Sequence, residues 1–147
     1  INGLIFYSLA WSWRLHAQPA TQARTCEAGP ASADVLKLIE AAITEQELHL
    51  QASINIEQFA AHIGVPARVV SQVINRELGT RFFEFINQHR VEHAKRLLAD
   101  PSCAHMSVLD IWLASGFNNK SSFHRFFNRL VGMSPSVYRR RHLKSSC

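Results

Sequence analysis

The side chains of this chain that could do chemistry fall into two groups. The first comprises eight histidines and three cysteines. His89 and His93 are four residues apart, which would put two imidazoles on one helix face. The residue after the first is Arg90, however, where the zinc-peptidase pattern needs a glutamate as general base. Cys103 and His105 are neighbours with no second pair to close a tetrahedral site. Both pairs therefore read as surface side chains. Cys26, Cys103 and Cys147 are odd in number and widely spaced, so neither a disulfide framework nor a paired zinc site is expected, and a reducing compartment fits. Gly-rich phosphate loops, nucleophile elbows and paired carboxylates do not occur. No catalytic residues, metal or cofactor are expected, and the chain does not read as an enzyme.

The second group is basic. The net charge is +5, and its placement matters more than its size. Through residue 61 there are six acids against three bases; from residue 62 there are thirteen bases against five acids. No acid follows Asp110, whereas Lys120, Arg125, Arg129, Arg139, Arg140, Arg141 and Lys144 all do. A stretch of one sign attracts polyanions and, with nucleic acid, gains from released counterions. A solvated basic tail would have the same composition.

The elements that must carry these side chains are helices. No segment alternates with period two, and apolar residues recur at helical spacing. Val35, Leu36, Ile39, Ala42 and Ile43 mark a helix over about 34–49. Asn55 with Gln58 three residues on forms a capping-box pattern ahead of Phe59, Ala60 and Ile63. Gly64 turns the chain, and Pro66 suits the first turn of a helix over about 66–77. That helix buries Val69, Val70, Val73 and Ile74, and Gly79 closes it. Thr80 is the expected cap of a long helix to about Leu98, with Phe82, Phe85, Ile86, Val91, Ala94, Leu97 and Leu98 facing partners. Asp100-Pro101 breaks it.

The pattern then recurs. Ser107 caps a short helix with Asp110 at the box position, Gly116 turns, Asn119 caps a helix to about Leu130, Gly132 closes it, and Ser134-Pro135 starts a final helix. The expected fold is all-α and homeodomain-like: two helix-turn-helix units, about 55–78 and about 107–131, joined by a long linker helix over about 80–98. About seven helices are expected in a domain spanning 34–147. One helix-turn-helix pattern is weak evidence of DNA binding, because any helical hairpin supplies it; two, with a basic second half, are stronger.

Residue by residue, ASGFNNKSSFHRFFNRLVGMSPSVYRR at 114–140 closely resembles the C-terminal signature of the AraC/XylS family of transcription regulators. Gly116-Phe117, Ser122-Phe123, Arg125, Phe127, Gly132, Pro135, Tyr138 and Arg139 carry the match. The stretch 55–98 resembles the family's first unit, with Arg90, Ala94 and Leu97-Leu98 matching its linker helix. The resemblance covers about 35–141 and implies a sequence-specific reader of double-stranded DNA with RNA polymerase as a further partner. It implies that Arg68, Ser71, Gln72 and Asn75 in the first unit, and Lys120, Ser121, His124 and Arg125 in the second, meet base edges. Arginine and lysine suit guanine there, and glutamine or asparagine suits adenine. Backbone N–H groups near Asn55 and Ser107, with Arg81, Arg129, Arg139 and Arg140, are the expected phosphate contacts. Three positions depart from the family pattern. Trp112 replaces a small residue and reads as an aromatic packed beside Phe126, Phe126 is itself bulkier than usual, and Asn128 replaces a common lysine.

A different class of function remains open at this level: a protein-interaction module whose Phe-rich helices dock a partner while the basic tail touches acidic lipid. Residues 1–16 open with thirteen uncharged residues ending in Trp11 and Trp13, followed by Arg14 and His16. This reads as the end of a truncated transmembrane helix with its positive flank in the cytoplasm, or else as an N-terminal core or interfacial helix. Residues 17–33 have linker composition. With the family resemblance, they suggest the membrane-embedded branch, with a cytoplasmic DNA-binding domain attached to the bacterial inner membrane.

Overall fold

A computed structural model describes residues 32–143. The expected membrane segment at 1–16 and most of the linker at 17–33 lie outside them. Among the described residues the fold is all-α, with seven α-helices: α1 (Ser32–Thr44), α2 (Ile56–His62), α3 (Ala67–Leu78), α4 (Phe82–Ala99), α5 (Val108–Ala114), α6 (Lys120–Val131) and α7 (Pro135–Leu143). None of them is long and apolar enough to cross a membrane.

Two elements differ from expectation. The first helix does not reach residue 49. Its apolar stripe buries Val35, Ile39, Ala42 and Ile43, but the next core-facing positions are Gln46 and Glu47, which have nothing apolar to bury. The chain leaves the helix at Thr44, Glu47 takes a left-handed conformation at φ 49°, and a single 3₁₀ turn at Leu48–Leu50 buries Leu48 and His49. Thr80 does not cap the long helix either. Arg81 occupies the N-cap position in extended conformation and offers no side-chain cap, so tertiary packing rather than capping holds that end.

The packing is bipartite. One core gathers α1, the Leu48 turn, α2 and α3 around Ile39, Phe59, Val70 and Ile74; the other gathers α5, α6 and the Phe117 turn around Ile111, Phe123 and Phe127. The long α4 serves both, giving Phe85 and Ile86 to the first and Val91, Ala94 and Leu98 to the second. Each fully buried large apolar side chain contributes about 1.5–3 kcal/mol of transfer free energy, so α4 is held along its whole length. Trp112 lies in the second core with Phe126, where the sequence put it.

Between the two apolar groups, α4 carries polar residues, Asn87 and Arg90, both buried. The Asn87 amide donates to the Phe83 carbonyl at 2.8 Å. Arg90 donates through Nε to the His49 carbonyl at 2.7 Å and through Nη2 to the Gln51 carbonyl at 2.7 Å and the Ala52 carbonyl at 3.4 Å. Its other terminal nitrogen donates to Asn87 Oδ1 at 3.5 Å.

Candidate nucleic-acid interface

The two units are built by the same local devices. In the first, the Asn55 side chain accepts from the Gln58 N–H at 2.8 Å while the Asn55 N–H donates back to Gln58 Oε1 at 3.1 Å. In the second, the Asp110 N–H donates to Ser107 Oγ at 3.1 Å and the Ser107 N–H to Asp110 Oδ2 at 2.8 Å. Each short helix then ends on a glycine with positive φ, 67° at Gly64 and 78° at Gly116. The next residue's N–H returns to a carbonyl five back: Val65 to Ala60 at 3.0 Å, Phe117 to Trp112 at 3.1 Å. These bonds satisfy the last carbonyls of the helix and aim the chain into the following one. The second helix of each unit, α3 or α6, has twelve residues and ends at a left-handed glycine, Gly79 or Gly132.

The expected base-reading residues lie on these second helices. Arg68, Ser71, Gln72 and Asn75 are all exposed on α3, opposite the buried Val70, Val73 and Ile74. On α6, Lys120, Ser121 and Arg125 are exposed, and the core side is Phe123, Phe126 and Phe127. The Arg125 guanidinium lies 5.3 Å from the Phe126 ring centroid, which steadies it without removing its donors. His124 differs. It is half-buried against Phe123, ring centroids 5.5 Å apart, and its Nε2 is buried with no hydrogen-bond partner. Asn119 accepts from the Ser122 N–H at 2.9 Å and so fixes the start of α6.

The expected phosphate contacts lie in different surroundings. Arg81 and Arg140 are exposed. The N–H groups of Asn55 and Ser107 are already taken by their capping boxes. Arg129 is ion-paired with Glu84 of α4 and lies 4.6 Å from the Phe126 ring centroid. Arg139 is half-buried and donates to the Met106 carbonyl at 2.7 Å, so one of its nitrogens ties α7 to the loop before α5.

Sequence reasoning missed a histidine cluster. His89 and His93 are not surface side chains: the Leu48 turn brings His49 to ring-centroid distances of 5.9 Å and 6.2 Å from them. Burial, then the charges that His89 and His93 carry when protonated and those of Arg96 and Arg90, push His49 down to about 3. Burial is also the main cause at His89, lowered to about 4, where Arg96 lowers it further and Glu92 opposes. His93 is lowered as well, again mainly by burial. The cluster is neutral packing material at pH 7. Among the described residues, no group of His, Cys, Asp and Glu is arranged to hold a metal ion.

Two capped hairpins of helix, glycine turn and helix, each presenting an exposed polar face on its second helix, define the double helix-turn-helix class. Residues 59–141 match the family described as helix-turn-helix domain, and the chain belongs to the AraC/XylS family of helix-turn-helix transcription regulators. It is 35% identical over 102 residues to the transcriptional activator NphR of Rhodococcus, covering 69% of this chain and 29% of that one. It is 32% identical over 88 residues to the melibiose operon regulatory protein of Escherichia coli K12, covering 60% of this chain and 28% of that one. The chain thus spans under a third of the length of these relatives. Among solved structures, an AraC-type regulator from Chromobacterium violaceum aligns with TM-score 0.63 at 21% identity, over 75% of this chain and 96% of that one. The DNA-binding domain of AdpA in complex with target DNA aligns with TM-score 0.60 at 23% identity, over 73% and 90%. These structural likenesses are of fold. The alternative of a lipid-touching interaction module finds no support among them.

Proposed function

We propose that this chain binds duplex DNA sequence-specifically and regulates transcription, with α3 and α6 entering successive major grooves about one helical turn, roughly 10 bp, apart. The observation that carries the proposal is the repetition of one presentation device. In both units a capping box and a left-handed glycine aim a twelve-residue helix whose outer face carries exposed polar and basic side chains. In this reading Arg68, Ser71, Gln72 and Asn75 read one groove and Lys120, Ser121, His124 and Arg125 the other, with Arg81 and Arg140 pairing phosphates and positioning the domain. Arg129 and Arg139 hold the protein together first and touch phosphate second.

NphR is by name a transcriptional activator and the melibiose regulator acts on an operon; by analogy RNA polymerase is the proposed protein partner here. DNA binding puts the domain in the cytoplasm. The uncharged stretch at 1–13, followed by Arg14, supports attachment of the N-terminal segment to the inner membrane, and release of the full-length protein into the soluble fraction would remove that part of the proposal.

The test of the central reading is selection of bound duplexes from a randomised pool by the full chain. Two conserved blocks centred about 10 bp apart are expected. Recovery of duplexes without sequence preference would overturn it.

A further inference from the structure

We infer that Arg90 and Gly116 together set the distance and rotation between the two recognition helices, making Arg90 a positioning residue that selects half-site spacing. This rests on the DNA-reading proposal above and adds to it the element that measures.

The argument starts from the segment 48–52. Leu48 is buried in the first core, so this segment moves with the first unit. Beyond Leu48 it turns its carbonyl oxygens outward, and they are met from two directions. From α4, the guanidinium of Arg90, only 6% exposed, collects the His49, Gln51 and Ala52 carbonyls. From the second unit, the Gly116 turn packs so closely that a Cβ on it would stand 2.7 Å from the Leu50 oxygen and 2.8 Å from the His49 oxygen. Arg90 also lies 5.7 Å from the ring centroid of Phe117, the residue that follows this turn.

One guanidinium therefore touches all three bodies: the linker helix that carries it, the loop of the first unit and the turn of the second. The planar fork of arginine suits this, since it presents several donors in fixed directions, and a lysine could serve only one carbonyl well. The turn at Gly116 leads within four residues into α6. Any shift of the 49–52 carbonyls is thus transmitted to the recognition helix; loss of Arg90 would leave the carbonyl of the buried His49 without this donor, while the carbonyls of the exposed Gln51 and Ala52 would be left to the Ile54 N–H and to water. Besides the shared second core, α4 is tied to α6 nearer its N-terminus by the Glu84–Arg129 ion pair and the Phe83–Phe126 ring pair at 5.6 Å. They resist separation of the units but do not seat the turn.

DNA responds steeply to such geometry. One added base pair moves the second half-site by about 3.4 Å and about a tenth of a turn. A rigid pair of helices must reject it, and a loosened pair accepts it.

The experiment uses the full chain and a duplex series built on the selected site, with spacing changed by −1, +1 and +2 bp, together with duplexes carrying only the α6 half-site. Wild type is expected to lose about tenfold in affinity or more per base pair of misplacement, as for a mismatched contact. Arg90→Gln should narrow that loss to about threefold while half-site affinity stays within about twofold, and Arg90→Lys should fall between. Circular dichroism and thermal melting establish that each variant is folded. A purely structural role would lower binding to every duplex in proportion and leave the spacing profile unchanged, which would overturn the inference. So would a wild type indifferent to spacing, or unfolding of both variants, which would mark Arg90 as a stability residue alone. Failure of wild type to select any sequence would instead sink the DNA-reading proposal itself.

Discussion

The two helix-turn-helix units match each other in helix length, capping box and glycine placement, yet their turns live in different surroundings. At Gly64 a Cβ would meet nothing within 4 Å; at Gly116 it would meet backbone oxygens of the other unit below 3 Å. The first turn is a local device at the surface of its own unit. The second is the same device pressed into service as an inter-unit joint. The difference teaches that a motif repeated in sequence need not have a repeated role, because its role depends on what packs against it.

The largest expected effect comes from that contrast. Gly116→Ala must both strain a left-handed residue and drive a methyl into fixed carbonyls, so a loss of about 3 kcal/mol or more is expected. Gly64→Ala carries only the conformational strain, about 1 kcal/mol. Urea unfolding of the two variants measures both, and equal losses would erase the distinction between the turns.

A second contrast separates the readers of α6. Arg125→Ala should cost about 1–3 kcal/mol at its cognate base pair and relax preference there. His124 is half-buried with its Nε2 turned inward, so His124→Ala should alter base preference less than Arg125→Ala does. A binding assay against single-base variants of the operator ranks them; a larger specificity change at His124 would mean that its ring turns outward on DNA.

Acid should act on the side of the joint where the histidines cluster. His49 and His89 have ordinary values near 6.5 when unfolded and about 3 and about 4 when folded. Between these limits the unfolded chain binds protons that the folded one refuses, so stability is complete above about pH 6.5 and is lost as pH falls toward 4. Glu47 and Glu92 oppose the loss, and Arg90 and Arg96 add to it. Melting temperatures across pH 4–8 should show the decline, and His49→Phe should flatten it. An unchanged slope in that variant would assign the acid sensitivity elsewhere.

The smallest effect concerns salt. Arg81 is exposed at the start of α4, whereas Arg129 already pairs with Glu84. Arg81→Ala should reduce the salt dependence of DNA affinity by about one phosphate contact, and Arg129→Ala by less. The reverse order would mean that Arg129 exchanges Glu84 for phosphate on binding.

Much of the fold is legible in the sequence. Both capping boxes, the glycine turns and the breaks at Asp100-Pro101 and Gly132 follow from patterns a few residues long, and the structure has them; so do most core residues of α3 and α4, with Val69, Phe82 and Leu97 only half-buried. The expected extension of α1 to residue 49 fails because Gln46 and Glu47 interrupt its apolar stripe. The cap at Thr80 was a sound local inference overridden by packing. The outer-face residues of α3 and α6 come from the family resemblance, and all but the half-buried His124 are exposed. The tie from Arg129 to Glu84 and the histidine cluster were not legible, since each joins residues brought near only by folding.

From its sequence alone this chain is determined to be a pair of capped, glycine-turned hairpins on a basic, all-helical domain, because caps and turns are hydrogen bonds between near neighbours whose geometry the backbone supplies. Only the tertiary structure decided that Arg90 would close on carbonyls some forty residues away and that Gly116, rather than Gly64, would carry the joint. Those contacts depend on how two cores pack along one helix, and no pattern of local spacing encodes the place where they meet.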